Sequence, residues 1–147
     1  MKLKATFFII IALMALNFSG CSKERCKYCG VVIKTTVFQS AHFDFDKAQL
    51  KPQAIPLLNE NIDILKNFKK YRVTINGYTD SVGTPAYNID LSRSRAMAVF
   101  DYLAVHGISP DRMLVIGHGE ANPVAPNTSA KNRALNRRVQ INIIDPK

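Results

Sequence analysis

The chain has 147 residues, and its 20 Lys and Arg outweigh 11 Asp and Glu to give a formal charge of +9. That length holds one domain with a real core and leaves no room for two. A basic balance suits nucleic acid, anionic lipid or an acidic polymer. The chain shows no basic stripe interleaved with aromatic residues for stacking bases, and Lys131, Arg133, Arg137 and Arg138 gather near the C-terminus instead.

The first twenty residues read as a leader. Lys2 and Lys4 make a basic start, and Ala5 to Leu16 is apolar and uncharged. Twelve residues are too few to span a bilayer and suit the apolar region of a signal peptide. Phe18-Ser19-Gly20-Cys21 follows, with small residues directly before a cysteine, and resembles the lipobox of bacterial lipoproteins, although Phe18 stands where Leu is usual. The expectation is that residues 1–20 are removed and Cys21 becomes the acylated N-terminus; the alternative is an ordinary secretory signal with a structural cysteine nearby. The remaining 127 residues would carry 18 − 11 = +7. An exported address also argues against nucleic acid as a partner.

Residues 21–30 form a polar linker reaching roughly 30 Å at full extension. Cys26 and Cys29 make a lone C-x-x-C. Zinc needs further ligands that do not accompany it, and haem attachment needs a following His where Gly30 stands. A small local disulfide fits an oxidising compartment, and no function is assigned to the pair.

The domain proper spans residues 31–147. Val31 to Phe38 is β-branched and predicts a first strand. In the next segment, Phe43-Asp44-Phe45-Asp46 fits a second short strand or extended turn, with its aspartates solvated or lining a pocket. Ile55, Leu58, Ile62 and Leu65 recur with helical spacing and predict a helix over Pro52–Lys70, or one starting nearer Pro56. Tyr71 to Tyr78 alternates as a strand. A second helix is expected from Asn88 to His106, with Leu91, Ala98, Val99, Tyr102 and Leu103 as its buried stripe and Gly107 as its stop. Met113 to Ile116 reads as a short buried strand, Ala130 to Asn136 as a short helix, and Arg138 to Ile143 as a half-buried strand. The fold expected is α+β, in the order β-α-β-α-β-β, with two main helices on one face of a mixed four-stranded sheet.

Thr79 to Arg95 concentrates the chemistry. Gly83 and Pro85 punctuate a turn, Asn88 is the expected N-cap, and Asp90 is expected in the first helical turn. Asp80 and Arg95 stand at opposite ends of this stretch. From spacing alone they fit equally a structural ion pair bracing the turn and a pair that holds a zwitterionic ligand. His42, His106 and His118 are the only histidines, and none lies in a zinc or nucleophile signature. The chain is therefore not read as an enzyme, and no cofactor is expected.

Four stretches, FDFDKAQLKP, INGYTDSVGTPAYNIDLSRSRAMAV, GHGEANPVAPN and NRRVQINI, together resemble the C-terminal domain family of outer-membrane protein A, and within it the lipid-anchored, peptidoglycan-associated members. The resemblance runs from about Phe43 to Ile143. It implies an α/β sandwich that binds peptidoglycan non-covalently and catalyses nothing. Carried over by position, Asp80 and Arg95 hold diaminopimelate of the stem peptide. Thr79, Asn88 and Leu91 shape the pocket, Asp44 and Phe45 belong to the facing turn, and Arg137 reaches the peptide. It also implies an outer-membrane address through the lipid on Cys21, facing the periplasm, with Tol-system periplasmic proteins as partners. The alternative is a wall-anchoring module of a larger envelope or motor assembly.

Overall fold

The structure is a computed structural model and describes residues 40–67 and 69–144. The strand expected over Val31–Phe38, the linker and the leader with Cys21 lie outside the described residues. In chain order the elements are β1 (Ala41–His42), α1 (Ala54–Asn67), β2 (Arg72–Gly77), α2 (Pro85–Val105), a 3-10 turn (Pro110–Arg112), β3 (Met113–Gly117), α3 (Ala130–Asn136) and β4 (Arg138–Ile144). The sheet has the order β1-β4-β2-β3. β2 and β3 run parallel, from Val73 opposite Met113 to Gly77 opposite Gly117, while β4 is antiparallel to both β1 and β2. Among the described residues no helix is long and apolar enough to cross a membrane.

Alternation along the strands decides what is buried. Val73 and Ile75 of β2 and Val139 and Ile141 of β4 point into one face of the sheet, where they meet Leu58, Ile62 and Leu65 of α1 and Ala96, Val99 and Leu103 of α2. Each fully buried Leu, Ile or Val stabilises by about 1.5–3 kcal/mol relative to exposure. The α1 stripe follows the expected spacing, except that Ile55 is only half-buried and Ala54 takes its place in the core. The helix is shorter than Pro52–Lys70 at both ends, and Pro56 sits in its first turn, where its missing N–H removes no intrahelical bond.

At the C-terminal ends of β2 and β3 the helix α2 comes unusually close. A Cβ on Gly77 would lie 1.9 Å from the Ser92 carbonyl oxygen, and one on Gly117 would lie 2.8 Å from the Arg93 nitrogen. These two paired glycines let the first half of α2 lie directly on the strand ends. The chain leaving β2 and the N-terminal half of α2 are thus held against each other.

Candidate functional site

Two expectations for the start of α2 are corrected. Thr84, not Asn88, is the N-cap: its side chain accepts from the Tyr87 N–H, and Pro85 follows at the first helical position. Asn88 is four residues inside the helix and buried, so Asp90 lies beyond the first turn. The inward face reads Asn88, Ser92, Arg95, Ala96, Val99 and Leu103, polar in its first half and apolar in its second. Leu91, Ala98 and Tyr102, expected in the stripe, are only half-buried.

Ser92 ties this face to the neighbouring loop. Its hydroxyl donates to the Ile89 carbonyl at 2.7 Å and accepts from the Gly119 N–H at 2.9 Å. The Gly119 carbonyl in turn accepts from the Thr79 N–H at 2.8 Å. These links fix the exit of β2, where Asp80 follows. One Asp80 oxygen accepts from the Val82 N–H at 3.1 Å and the other from Nη1 of Arg137 at 2.9 Å. Gly83, at φ 110°, completes the turn in a conformation that favours glycine.

Arg95 is the largest fully buried side chain among the described residues. Its Nε donates to the Lys47 carbonyl at 2.9 Å, Nη1 to the Tyr78 carbonyl at 3.1 Å and Nη2 to the Asp44 carbonyl at 3.1 Å. The Phe43 ring lies 5.5 Å away. Of the two readings of Asp80 and Arg95, the ion pair bracing the turn is therefore absent. Asp80 pairs with Arg137, whose Nε also holds the Phe43 carbonyl at 3.1 Å. Arg95 itself is fully buried. Burial and the like charge of Arg137 lower its pKa to about 10, so it stays charged at neutral pH. Three of its five N–H donors are used, all on neutral carbonyls.

Above Arg95 opens a cavity of about 220 Å³. Asp80, Arg137 and Arg95 supply charge to its lining; Phe45, Val82, Tyr87 and Leu91 supply apolar surface, and Gly83 and Asp46 complete it. Phe45, Val82 and Tyr87 are each about half exposed at its rim. The Tyr87 hydroxyl donates to the Asp46 carboxylate across the rim, which raises the tyrosine's own pKa. Asp46 adopts φ 57°, so the facing turn bends sharply there.

Of the eight residues expected at the site, Phe45, Asp80, Leu91, Arg95 and Arg137 line one cavity. Asn88 lies behind it: its Nδ2 donates to the Asp80 carbonyl at 3.4 Å and to Glu120 at 3.3 Å, and its buried Oδ1 has no partner. Thr79 is likewise buried, with its hydroxyl unpartnered. Asp44 contributes its carbonyl to Arg95 but points its carboxylate at Lys51, at 2.8 Å, outside this cavity. Val82, Gly83 and Tyr87 were not anticipated as lining, and Asp46 was so only in the reading of its turn as a pocket wall. Only the alternation of Phe-Asp-Phe-Asp hinted at Asp46, and nothing in the local pattern pairs it with Tyr87. No group of three or more metal-ligating residues occurs among the described residues.

Comparison with known proteins agrees with this architecture. Residues 42–137 match the model of the OmpA family. The chain is 44% identical to outer membrane protein A of Bordetella avium over 102 residues, which cover 69% of this chain and 53% of that protein. It is 46% identical to the peptidoglycan-binding protein ArfA of Mycobacterium bovis over 99 residues, covering 67% and 30%. The chain thus spans about half or less of the length of these curated relatives. The crystal structure of the peptidoglycan-associated lipoprotein of Burkholderia pseudomallei superposes with a TM-score of 0.68 at 33% identity, covering 71% of this chain and 88% of that one. On the family match and these similarities, the chain belongs to the OmpA family.

Proposed function

We propose that the domain binds peptidoglycan non-covalently by taking the free amino-acid head of diaminopimelate into the Arg95 cavity. One observation carries the reading: a fully buried guanidinium, bonded only to neutral carbonyls, lies at the floor of a cavity of about 220 Å³. A buried cation without a contacting anion is costly unless something compensates it. An incoming carboxylate would do so, and arginine's fixed fork suits one. The head group also carries an ammonium, and Asp80 and Asp46 are the carboxylates in the lining. The volume fits an amino-acid head and falls below that of most drug-sized sites. The half-exposed Phe45, Val82 and Tyr87 offer apolar surface to the methylene chain behind the head. A relative bearing the name peptidoglycan-binding protein and a superposable peptidoglycan-associated lipoprotein support the same reading.

The wider role in this proposal is that of a lipoprotein acylated on Cys21, held in the outer membrane with its domain in the periplasm, tethering that membrane to the wall. The small residues before Cys21 support the anchor. Tol-system proteins as partners rest on the family resemblance alone. Binding in this account makes and breaks no covalent bond. The test is co-sedimentation of the soluble domain with purified sacculi, with and without free diaminopimelate as competitor. Retention on sacculi that the free diamino acid reverses is expected; a domain that stays in the supernatant contradicts the proposal.

A further inference from the structure

A second cavity, of about 320 Å³, lies on the other side of the turn that walls the first. The turn from Asp44 to Lys47, closed by the Lys47 N–H on the Asp44 carbonyl at 3.4 Å, divides its side chains between the two. Phe45 and Asp46 line the Arg95 cavity, whereas Asp44 and Lys47 line the second one, together with Gln49, Lys51 and Gln53. The same turn gives Arg95 two of its three carbonyls. The two cavities therefore share one four-residue wall.

The charges in this cleft do not balance. Lys51 is bound to Asp44 at 2.8 Å, and that contact lowers the Asp44 pKa, so this pair is internally neutral. Lys47 is exposed, and among the described residues no carboxylate forms a salt bridge with it. Gln49 and Gln53 are exposed too and add amide donors beside it. Lys47 and Lys51 both act on the single Asp44 carboxylate, and the cleft thus keeps a net charge of +1 next to neutral donors.

We propose that this cleft takes a second carboxylate of the same peptide, borne by the residue that precedes the diamino acid, with Lys47 as its counter-charge. The inference rests on the wall-binding reading above and assigns the cleft a part in specificity: a stem peptide whose preceding residue is amidated binds less well. Because the contact is exposed, its contribution is modest, about two- to five-fold in affinity, the range for exposed ion pairs.

The experiment titrates two synthetic diaminopimelate stem peptides, differing only in carboxylate against carboxamide at that residue, into the wild-type domain and into Lys47→Gln. Glutamine removes the charge and keeps the backbone carbonyl that Arg95 uses. The acid-to-amide affinity ratio is taken within each protein, so any loss of folded fraction cancels. A ratio of about two to five in the wild type that falls to one in Lys47→Gln is expected. A ratio of one in the wild type overturns this inference and leaves the Arg95 site standing, while a ratio above one that persists in Lys47→Gln overturns the assignment to Lys47. Failure of both peptides to bind the wild type overturns the wall-binding reading and this inference with it.

Discussion

The inward face of α2 has two halves with equal burial and opposite chemistry. Ala96, Val99 and Leu103 are sealed against the apolar side of the sheet, and Asn88, Ser92 and Arg95 are sealed to the same degree against Tyr78, Gly119 and the Asp44–Lys47 turn. The apolar half stabilises the fold by area removed from water. The polar half fixes positions through hydrogen bonds and keeps a charge buried, which burial alone disfavours. One helix therefore both closes the core and holds the site, and substitutions in its two halves should separate stability from binding.

The largest effect on binding is expected in the polar half. Arg95→Ala strands three carbonyls, a loss only partly offset by removing a charge that burial disfavours, so it should lower stability by about 1–3 kcal/mol and abolish sacculus binding, as chemical denaturation and co-sedimentation would show. A fold as stable as wild type would mean that Arg95 does not hold the Asp44–Lys47 turn. Leu103→Ala in the apolar half should cost about 2–4 kcal/mol, yet the folded fraction should bind the stem peptide with unchanged affinity. Asp80→Asn comes next. It removes the charge opposite Arg137, and about 1.5–3 kcal/mol of stability should be lost, with affinity falling at least about ten-fold, or 1.4 kcal/mol. Loss of binding without loss of stability would show that the Arg137 contact does not brace the fold.

The smallest effect lies on the other face of the sheet. His118 stacks on Tyr78 with ring centroids 4.8 Å apart, and its Nε2 lies 2.9 Å from the side-chain amide oxygen Oδ1 of Asn76. Burial first, and then Arg138, lower its pKa. The unfolded chain, with an ordinary value of about 6.5, therefore binds more protons once the pH falls toward that value. Stability from this group is present above about pH 6.5 and is lost as the pH falls below it. Denaturant midpoints at pH 7 and pH 5 should differ less in His118→Gln than in wild type.

Much of the fold was legible because its signals are local. The alternation of β2 and β4, the helical spacing of α1 and the polar segment ending in α3 each declared themselves within a few residues. The start of α2 was misplaced because Gly83 and Pro85 were read as turn punctuation, although the capping hydroxyl of Thr84 followed by Pro85 is itself a helix-start pattern. The polar half of the inward face of α2 was incompletely read because the buried stripe was drawn from apolar residues, whereas Asn88 and Ser92 occupy it together with Arg95. Asp80 was matched to Arg95 within one stretch, but its ion-pair partner is Arg137, 57 positions away. The acceptors of Arg95 are backbone carbonyls, which leave no mark on the residue types. Tertiary contacts of these kinds are set by the sheet order, not by neighbouring residues.

The central claim is that the Arg95 cavity recognises the carboxylate of an amino-acid head. Its most direct test is the affinity of the intact domain for two stem peptides that differ only at the third residue, diaminopimelate against lysine. Lysine keeps the terminal ammonium and lacks the carboxylate beside it. The account predicts at least about ten-fold tighter binding of the diaminopimelate peptide, or 1.4 kcal/mol; equal affinities for the two would contradict it.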